Sequence, residues 1–266
     1  MIVFFSFIVV SLVLFYLYVR FLEKKTAFAP EINISATPND VDLKYEDVYL
    51  QVDGFIIHGW WVPCEGAQRT LLYLHGNAGN ISDRVDKIRV YHDLGFNFFI
   101  IDYRGYGLSE GKPSEEGLYT DAQVAYNYLI KDQGIVGGEI FLCGASLGSA
   151  VAIDLATKVE IKALILDSAF SSALDIGRDI YPFIPGFMIK LKFNSIDKIA
   201  YVKVPKLFLH SVTDDVILIK FGVKLYDAAP GPKEFVRMKG DHVASHRDDS
   251  EKFRKTIKLF LQGMGL

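Results

Sequence analysis

The run Ile140-Phe141-Leu142-Cys143-Gly144-Ala145-Ser146-Leu147-Gly148-Ser149-Ala150-Val151-Ala152-Ile153 decides the fold. Its first four residues form a short apolar stretch that reads as a buried strand, and from Leu147 onward the pattern reads as a helix start. The turn between them leaves no spacer and puts Ser146 at its apex. Glycines at 144 and 148 suit such a turn, because neighbouring backbones must approach closely there. The same Gly-x-Ser-x-Gly spacing recurs at 107–111 around Ser109. There, Tyr103 to Tyr106 separate the motif from its strand, and Lys112-Pro113 follows where a helix would have to begin. Nucleophilic chemistry is therefore expected at Ser146 and not at Ser109.

Outward from this turn, short β-branched or aromatic runs at 71–74, 96–101, 163–166, 206–209 and 234–238 read as further strands. Helical spacing fills 82–93, 116–131, 147–158 and 217–228, and a last helix is expected over 247–262. Strands alternating with helices of this length imply right-handed crossovers, hence an α/β fold with a mostly parallel central sheet flanked by helices. Two runs at 48–52 and 55–62 flank Asp53-Gly54, a hairpin signal, so the sheet should open with an antiparallel pair. Residues 167–205 break the rhythm with Tyr181-Pro182-Phe183-Ile184-Pro185-Gly186-Phe187. A structureless loop of that length is uncommon, so a small helical lid is expected at about 168–204.

At the N-terminus, residues 2–19 are 18 consecutive uncharged positions dominated by Ile, Val, Phe and Leu. As a helix they span about 27 Å, close to the thickness of a bilayer core. No Lys or Arg precedes the run and no small-residue cleavage site closes it, which favours an uncleaved anchor over a signal peptide. The expected organisation is a transmembrane anchor at 1–22, a linker at 23–44 with Pro30, Asn33, Pro38 and Asn39, and a catalytic domain at 45–266. The bilayer is thus an expected partner, through residues 2–22. Arg20, Lys24 and Lys25 all follow the helix, so a single-pass protein with a cytoplasmic catalytic domain is expected.

Composition narrows the remaining classes. The 266 residues are 50% hydrophobic and carry a net charge of −3, without the basic stripe of a nucleic-acid binder. Two cysteines, Cys64 and Cys143, set no disulfide framework, and Cys143 reads as a small core residue. No metal-ligand spacing and no dinucleotide or phosphate-loop motif is complete, so no cofactor and no metal are expected.

A serine hydroxyl needs a base. His242 follows the strand at 234–238 and lies at the carboxyl edge of the expected sheet, with His246 as its competitor; His58, His92 and His210 read as structural. The carboxylate that orients the imidazole is expected on the loop after 206–209, at Asp214, with Asp215 and, less favoured, Asp167 as alternatives. Oxyanion donors are expected from the backbone N–H of Leu147 and of Asn77 in His75-Gly76-Asn77-Ala78-Gly79-Asn80, where His75 reads as a brace. The order Ser146, Asp214, His242 is that of α/β-hydrolases.

The runs His75-Gly76-Asn77-Ala78-Gly79-Asn80, Asp102-Tyr103-Arg104-Gly105-Tyr106-Gly107 and Gly144-Ala145-Ser146-Leu147-Gly148 resemble the membrane-anchored "α/β-hydrolase domain-containing" branch of that superfamily. That branch includes protein depalmitoylases and bacterial serine esterases. The resemblance implies the α/β-hydrolase fold from about residue 45 onward, and its motifs are not specific for a substrate. The site itself is expected to cleave carboxylic esters or thioesters through an acyl-enzyme, and the anchor alone points to membrane-associated acyl substrates. The sequence departs from the common pattern at His210-Ser211, where His-Gly is usual, and at Val243, where Asn is usual. Two other readings remain: a prolyl-aminopeptidase-like peptidase, and a catalytically silent binding module of the same fold.

Overall fold

The computed structural model describes residues 2–266, with side chains from residue 4 onward. A long helix α1 (Ile2–Ala27) leads into a two-residue strand β1 (Ala29–Pro30), and β2 (Glu46–Val52) and β3 (Phe55–Val62) follow. Next come β4 (Arg69–Leu74), the short β5 (Ala78–Gly79), α2 (Val85–Asp93), β6 (Phe96–Ile101) and α3 (Glu115–Lys131). The centre of the chain is β7 (Ile140–Ala145), α4 (Leu147–Ala156) and β8 (Ala163–Asp167). After α5 (Ala173–Ile180) and α6 (Ser195–Ile199), the chain ends with β9 (Lys206–Ser211), α7 (Ile219–Ala228), β10 (Lys233–Met238), α8 (Ser245–Asp248) and α9 (Ser250–Gly263).

Eight strands make one sheet in the order β10-β9-β8-β7-β4-β6-β3-β2. β3 runs antiparallel to both β2 and β6, and all other neighbours are parallel. Asp53 and Gly54, both at positive φ, close the opening hairpin as a two-residue turn whose twist matches its strands. The strands read as nearly continuous apolar runs because helices cover both faces. Alternation within each strand then sorts the core: Leu72, Leu74 and Leu142 face α3 and α4, whereas Leu71, Tyr73 and Phe141 face α2 and α9.

Between β8 and β9 the chain builds α5, a single 3-10 turn at Gly186–Met188, and α6. Two features lay outside the sequence pattern. The first helix continues to Ala27, inside the segment expected as linker. The stretch that follows is bound to the domain: Ala29 and Pro30 pair with Ala78 and Gly79, and Asn80 Nδ2 donates to the carbonyls of Glu31 and Asn33.

Candidate active site

Ser146 sits at the end of β7 with φ 52° and ψ −118°, a conformation that a residue with a Cβ adopts only at a cost of about 1–3 kcal/mol. Its surroundings hold it there. Its N–H donates to the Asp167 carbonyl at 2.8 Å, and its carbonyl accepts from Ser149 N at 2.9 Å. A Cβ on Gly148 would collide with the Leu74 carbonyl, and one on Gly144 with the Gly148 carbonyl. Both motif glycines are thus required by close backbone contacts in the turn. Gly76 packs on the serine itself: a Cβ there would lie 3.4 Å from Ser146 Cβ.

Asp214 and His242 meet across the loops that follow β9 and β10. His242 Nδ1 lies 2.8 Å from Asp214 Oδ2, while Asp214 Oδ1 accepts from the N–H groups of Ile217 at 2.8 Å and Val216 at 3.1 Å. Burial alone would raise the Asp214 pKa. The His242 bond and charge, with the Ile217 N–H, outweigh burial and hold the carboxyl below its ordinary value. The charged form is therefore the resting one, and it fixes the imidazole with Nδ1–H towards Asp214, leaving Nε2 as the free base.

The alternatives separate cleanly. Asp215 is exposed, whereas Asp214 is buried. Asp167, at the end of β8, is taken by Lys87, whose Nζ lies 2.7 Å from Asp167 Oδ2 and 3.2 Å from the Val243 carbonyl. Lys87 therefore ties the end of β8 to the residue beside His242, and that charge partner raises its pKa despite complete burial. Lys87 escaped the sequence reading, because a lysine in a helical stretch carries no sign of being buried. His246 Nδ1 lies 3.2 Å from the Val243 carbonyl, its ring packs on Phe253, and burial drives its pKa down to about 3. The structure brings together Asp214 and His242, and leaves Asp215, Asp167 and His246 outside that pair. Ser109, in the second Gly-x-Ser-x-Gly, is buried and bonded to the Asp102 carbonyl and His58 N.

The loop after β4 lies against the serine turn. Among the described residues, the backbone N–H groups of Asn77 and Leu147 have no backbone acceptor outside helices and strands. The carbonyl of Asn77 is held from two sides, by Tyr106 OH at 2.8 Å and by Ala29 N at 3.0 Å. Its side-chain amide donates to the Thr26 carbonyl at 3.1 Å. His75 is fully buried against Tyr103 and Tyr106, and its Nδ1 lies 2.7 Å from the Gly76 carbonyl. Burial lowers its pKa to about 3, so it is neutral and serves as a brace. The other histidines are also engaged: His58 with Asp47 at 2.8 Å, and His210 with the Ile217 carbonyl at 2.8 Å. Cys143 is buried in the core, and burial pushes its thiol up to about 12.

Ser146, Leu147 and Asn77 open onto an apolar cavity of about 190 Å³, walled by α5, by the segment from Ile184 to Phe193, and by the last turns of α1. Among the described residues, no group of three or more His, Cys, Asp or Glu is placed to hold a metal ion.

A mostly parallel eight-stranded sheet, a strained serine between strand and helix, and an Asp–His pair on later loops define a hydrolase of the serine type. The comparisons with known proteins agree. Residues 66–194 match the family described as "Serine aminopeptidase, S33". The chain is 34% identical over 252 residues to the α/β-hydrolase domain-containing protein WAV2 of Arabidopsis thaliana, an alignment covering 85% of this chain and 81% of that one. It is 36% identical over 193 residues to bem46 of Schizosaccharomyces pombe, covering 68% and 64% of the two chains. Among solved structures, an esterase of Pyrococcus furiosus superposes with a TM-score of 0.74 at 20% identity, covering 88% of this chain and 97% of that one. An α/β hydrolase of Vibrio vulnificus gives 0.74 at 24% identity, covering 90% and 92%. The chain belongs to the α/β-hydrolase family.

Proposed function

We propose that this protein is a serine hydrolase of the esterase or thioesterase type, cleaving acyl substrates at a membrane through an acyl-enzyme. The observation that carries the reading is Ser146, strained at its turn and opening onto an apolar cavity beside two backbone N–H groups. His242 Nε2 takes the Ser146 proton as Oγ attacks the acyl carbonyl, and the N–H groups of Asn77 and Leu147 receive the negative oxygen. Collapse of the tetrahedral intermediate passes that proton to the departing alcohol or thiol. Water deprotonated by His242 then attacks the acyl-enzyme, releasing the acid and restoring Ser146. The helix α1 anchors the protein, being long and apolar enough to cross a bilayer over Phe4–Ala27. Three cations on its domain side favour a cytoplasmic active site.

Labelling of the full-length protein with a fluorophosphonate tests the nucleophile. Label should disappear in Ser146→Ala and persist in Ser109→Ala; a folded wild type that takes no label sinks the reading and favours a silent binding module. Rates on p-nitrophenyl esters and acyl thioesters of increasing chain length then separate the two acyl classes.

The matched family's description keeps a peptidase reading in view. A site reading a substrate amine needs a free carboxylate. Glu23 is the one carboxylate among the cavity's described lining residues, and it is engaged by Leu191 N and by Arg20. Hydrolysis of amino-acyl methylcoumarin amides faster than of any ester would reverse this preference.

A further inference from the structure

The anchor helix is also part of the cavity. Val19, Leu22, Glu23, Thr26 and Ala27 line it, at spacings of three, four, seven and eight from Val19, which is one face of a helix. Bilayer contact alone gives no reason for one face of α1 to be covered. Here that face closes the side of the cavity left open between Asn77 and the lid. The contact is fixed at several points. Glu23 Oε1 accepts from Leu191 N at 2.6 Å, and Val19 is buried with Ile184 and Met188. Thr26 and Ala29 hold Asn77 by the two bonds described above, and β1 pairs with β5 directly after it. The anchor, the lid and the proposed oxyanion loop are one assembly.

Most described side chains of α1 before Val19 are exposed, with Tyr16 half-covered by the lid. Phe5, Leu12, Leu14 and Leu17 are exposed, as are Phe183 and Phe187 on the lid, at 74% and 87%. The turns of α1 before Val19 amount to about 17 residues, or about 26 Å of helix, enough to cross the hydrocarbon with no spacer before the catalytic domain. With that part of α1 in the bilayer as proposed, the cavity begins where the helix would leave it. Its walls at that end, Val19 and Leu22 on α1 with Ile184 and Ile189 on the lid, are apolar.

We infer that this cavity is an acyl-chain site filled laterally from the bilayer: the ester-linked long acyl chain of a membrane lipid slides along the α1–lid seam until its carbonyl reaches Ser146. The inference rests on the hydrolase reading above and adds the substrate class and its route. A lipid suits the site because the chain passes from leaflet to cavity without crossing water. At about 190 Å³ the space exceeds a ~150 Å³ apolar cavity that takes up benzene, so it holds a length of chain and not a bulky headgroup.

The test uses full-length protein in phosphatidylcholine vesicles. A fluorophosphonate with a long alkyl tail ending in a diazirine is loaded into the vesicles, allowed to react with Ser146, and irradiated. Adducts should map to residues 16–27 of α1 or to residues 184–189 of the lid, the two walls of the seam; adducts confined to other segments overturn the route. In parallel, Leu22→Trp fills the wall. The ratio of kcat/KM for a long-chain lipid ester to that for a butyryl ester should fall at least tenfold, and a ratio unchanged within twofold overturns the site. Tenfold faster hydrolysis of an S-palmitoylated peptide than of the lipid ester overturns the assignment to lipid. Should Leu22→Trp fail to fold, the cross-link in the wild type decides. A short-chain fluorophosphonate keeps the two readings apart: if it labels Ser146 while the cross-link misses the α1–lid seam, only this inference falls, and if it does not label, the hydrolase reading falls and takes this one with it.

Discussion

Asp214 and Asp215 are adjacent and chemically identical, yet only one can orient His242. Asp214 is buried, shares one oxygen with His242 and gives the other to two backbone N–H groups; Asp215 is exposed. Asp214→Asn preserves the shape but presents an amide to Nδ1, favouring the wrong tautomer, and should cost on the order of 10⁴ in kcat. Asp215→Asn should stay within twofold of wild type. Equal losses in the two variants, measured on one ester, would move the acid elsewhere. A second prediction concerns His75, whose pKa falls from an ordinary 6.5 to about 3 in the fold. The unfolded chain then binds a proton that the folded one refuses between these values. The stabilisation is complete above pH 6.5 and is lost as the pH falls towards 3. The slope from one such histidine is about 1.4 kcal/mol per pH unit. Denaturant midpoints at pH 7 and pH 5 should differ less in His75→Asn than in wild type; an unchanged difference would place the linkage on other groups. Asp214 and His242 were legible in the sequence because strand ends locate them. The sequence favoured Asp214 over Asp215 from the apolar Val216 and Ile217 that follow, but the burial that separates the two is visible only in the structure.

One side chain of α3 binds the returning end of the lid. Glu115, the first residue of α3, accepts Lys192 N at 2.7 Å on one oxygen and Phe193 N at 2.8 Å on the other, while Tyr119 OH also donates to it. Hydrogen bonds to a charged acceptor contribute about 1.5–3 kcal/mol each. Glu115→Ala should therefore loosen the lid without unfolding the sheet. Limited trypsin digestion should cut at Lys190 or Lys192 at least tenfold faster, with the global melting temperature little changed; equal digestion rates would mean that the lid's other contacts, the Glu23 bond to Leu191 N among them, suffice to hold it. At this scale the sequence pattern served the sheet well. All eight of its strands appear in alternating or continuous apolar runs with turn signals between them. It served the N-terminal segment poorly. An apolar helix reads the same whether its side chains meet lipid or a lid, and the β1–β5 pair is only two residues long, too short for any periodicity. Pro30 and Pro38 mark the absence of long regular structure, but not the side-chain and backbone bonds that bind residues 29–35 to the domain.

For the whole molecule, the proposed anchoring by α1 sets which side of the domain would meet a bilayer. Because α1 packs against the lid above the carboxyl ends of the strands, the proposed anchoring would turn that edge of the sheet towards the membrane and the opposite edge towards water. Phe187 and Phe183 lie on the first side; Val136, shortly before β7 begins, lies at the opposite edge and is also exposed, at 62%. Exposure alone does not distinguish these residues, whereas a membrane does. A phenylalanine ring at a lid tip gains by leaving water for the apolar side of a membrane interface. In vesicles containing brominated lipids, the added emission of Phe187→Trp should be quenched by half or more, and that of Val136→Trp should be nearly unaffected. Trp60 and Trp61, buried in β3, supply the same background to both variants. Equal quenching at both positions would mean the domain has no fixed attitude to the surface. Quenching at Val136 alone would invert it, and the seam between α1 and the lid would then open into water.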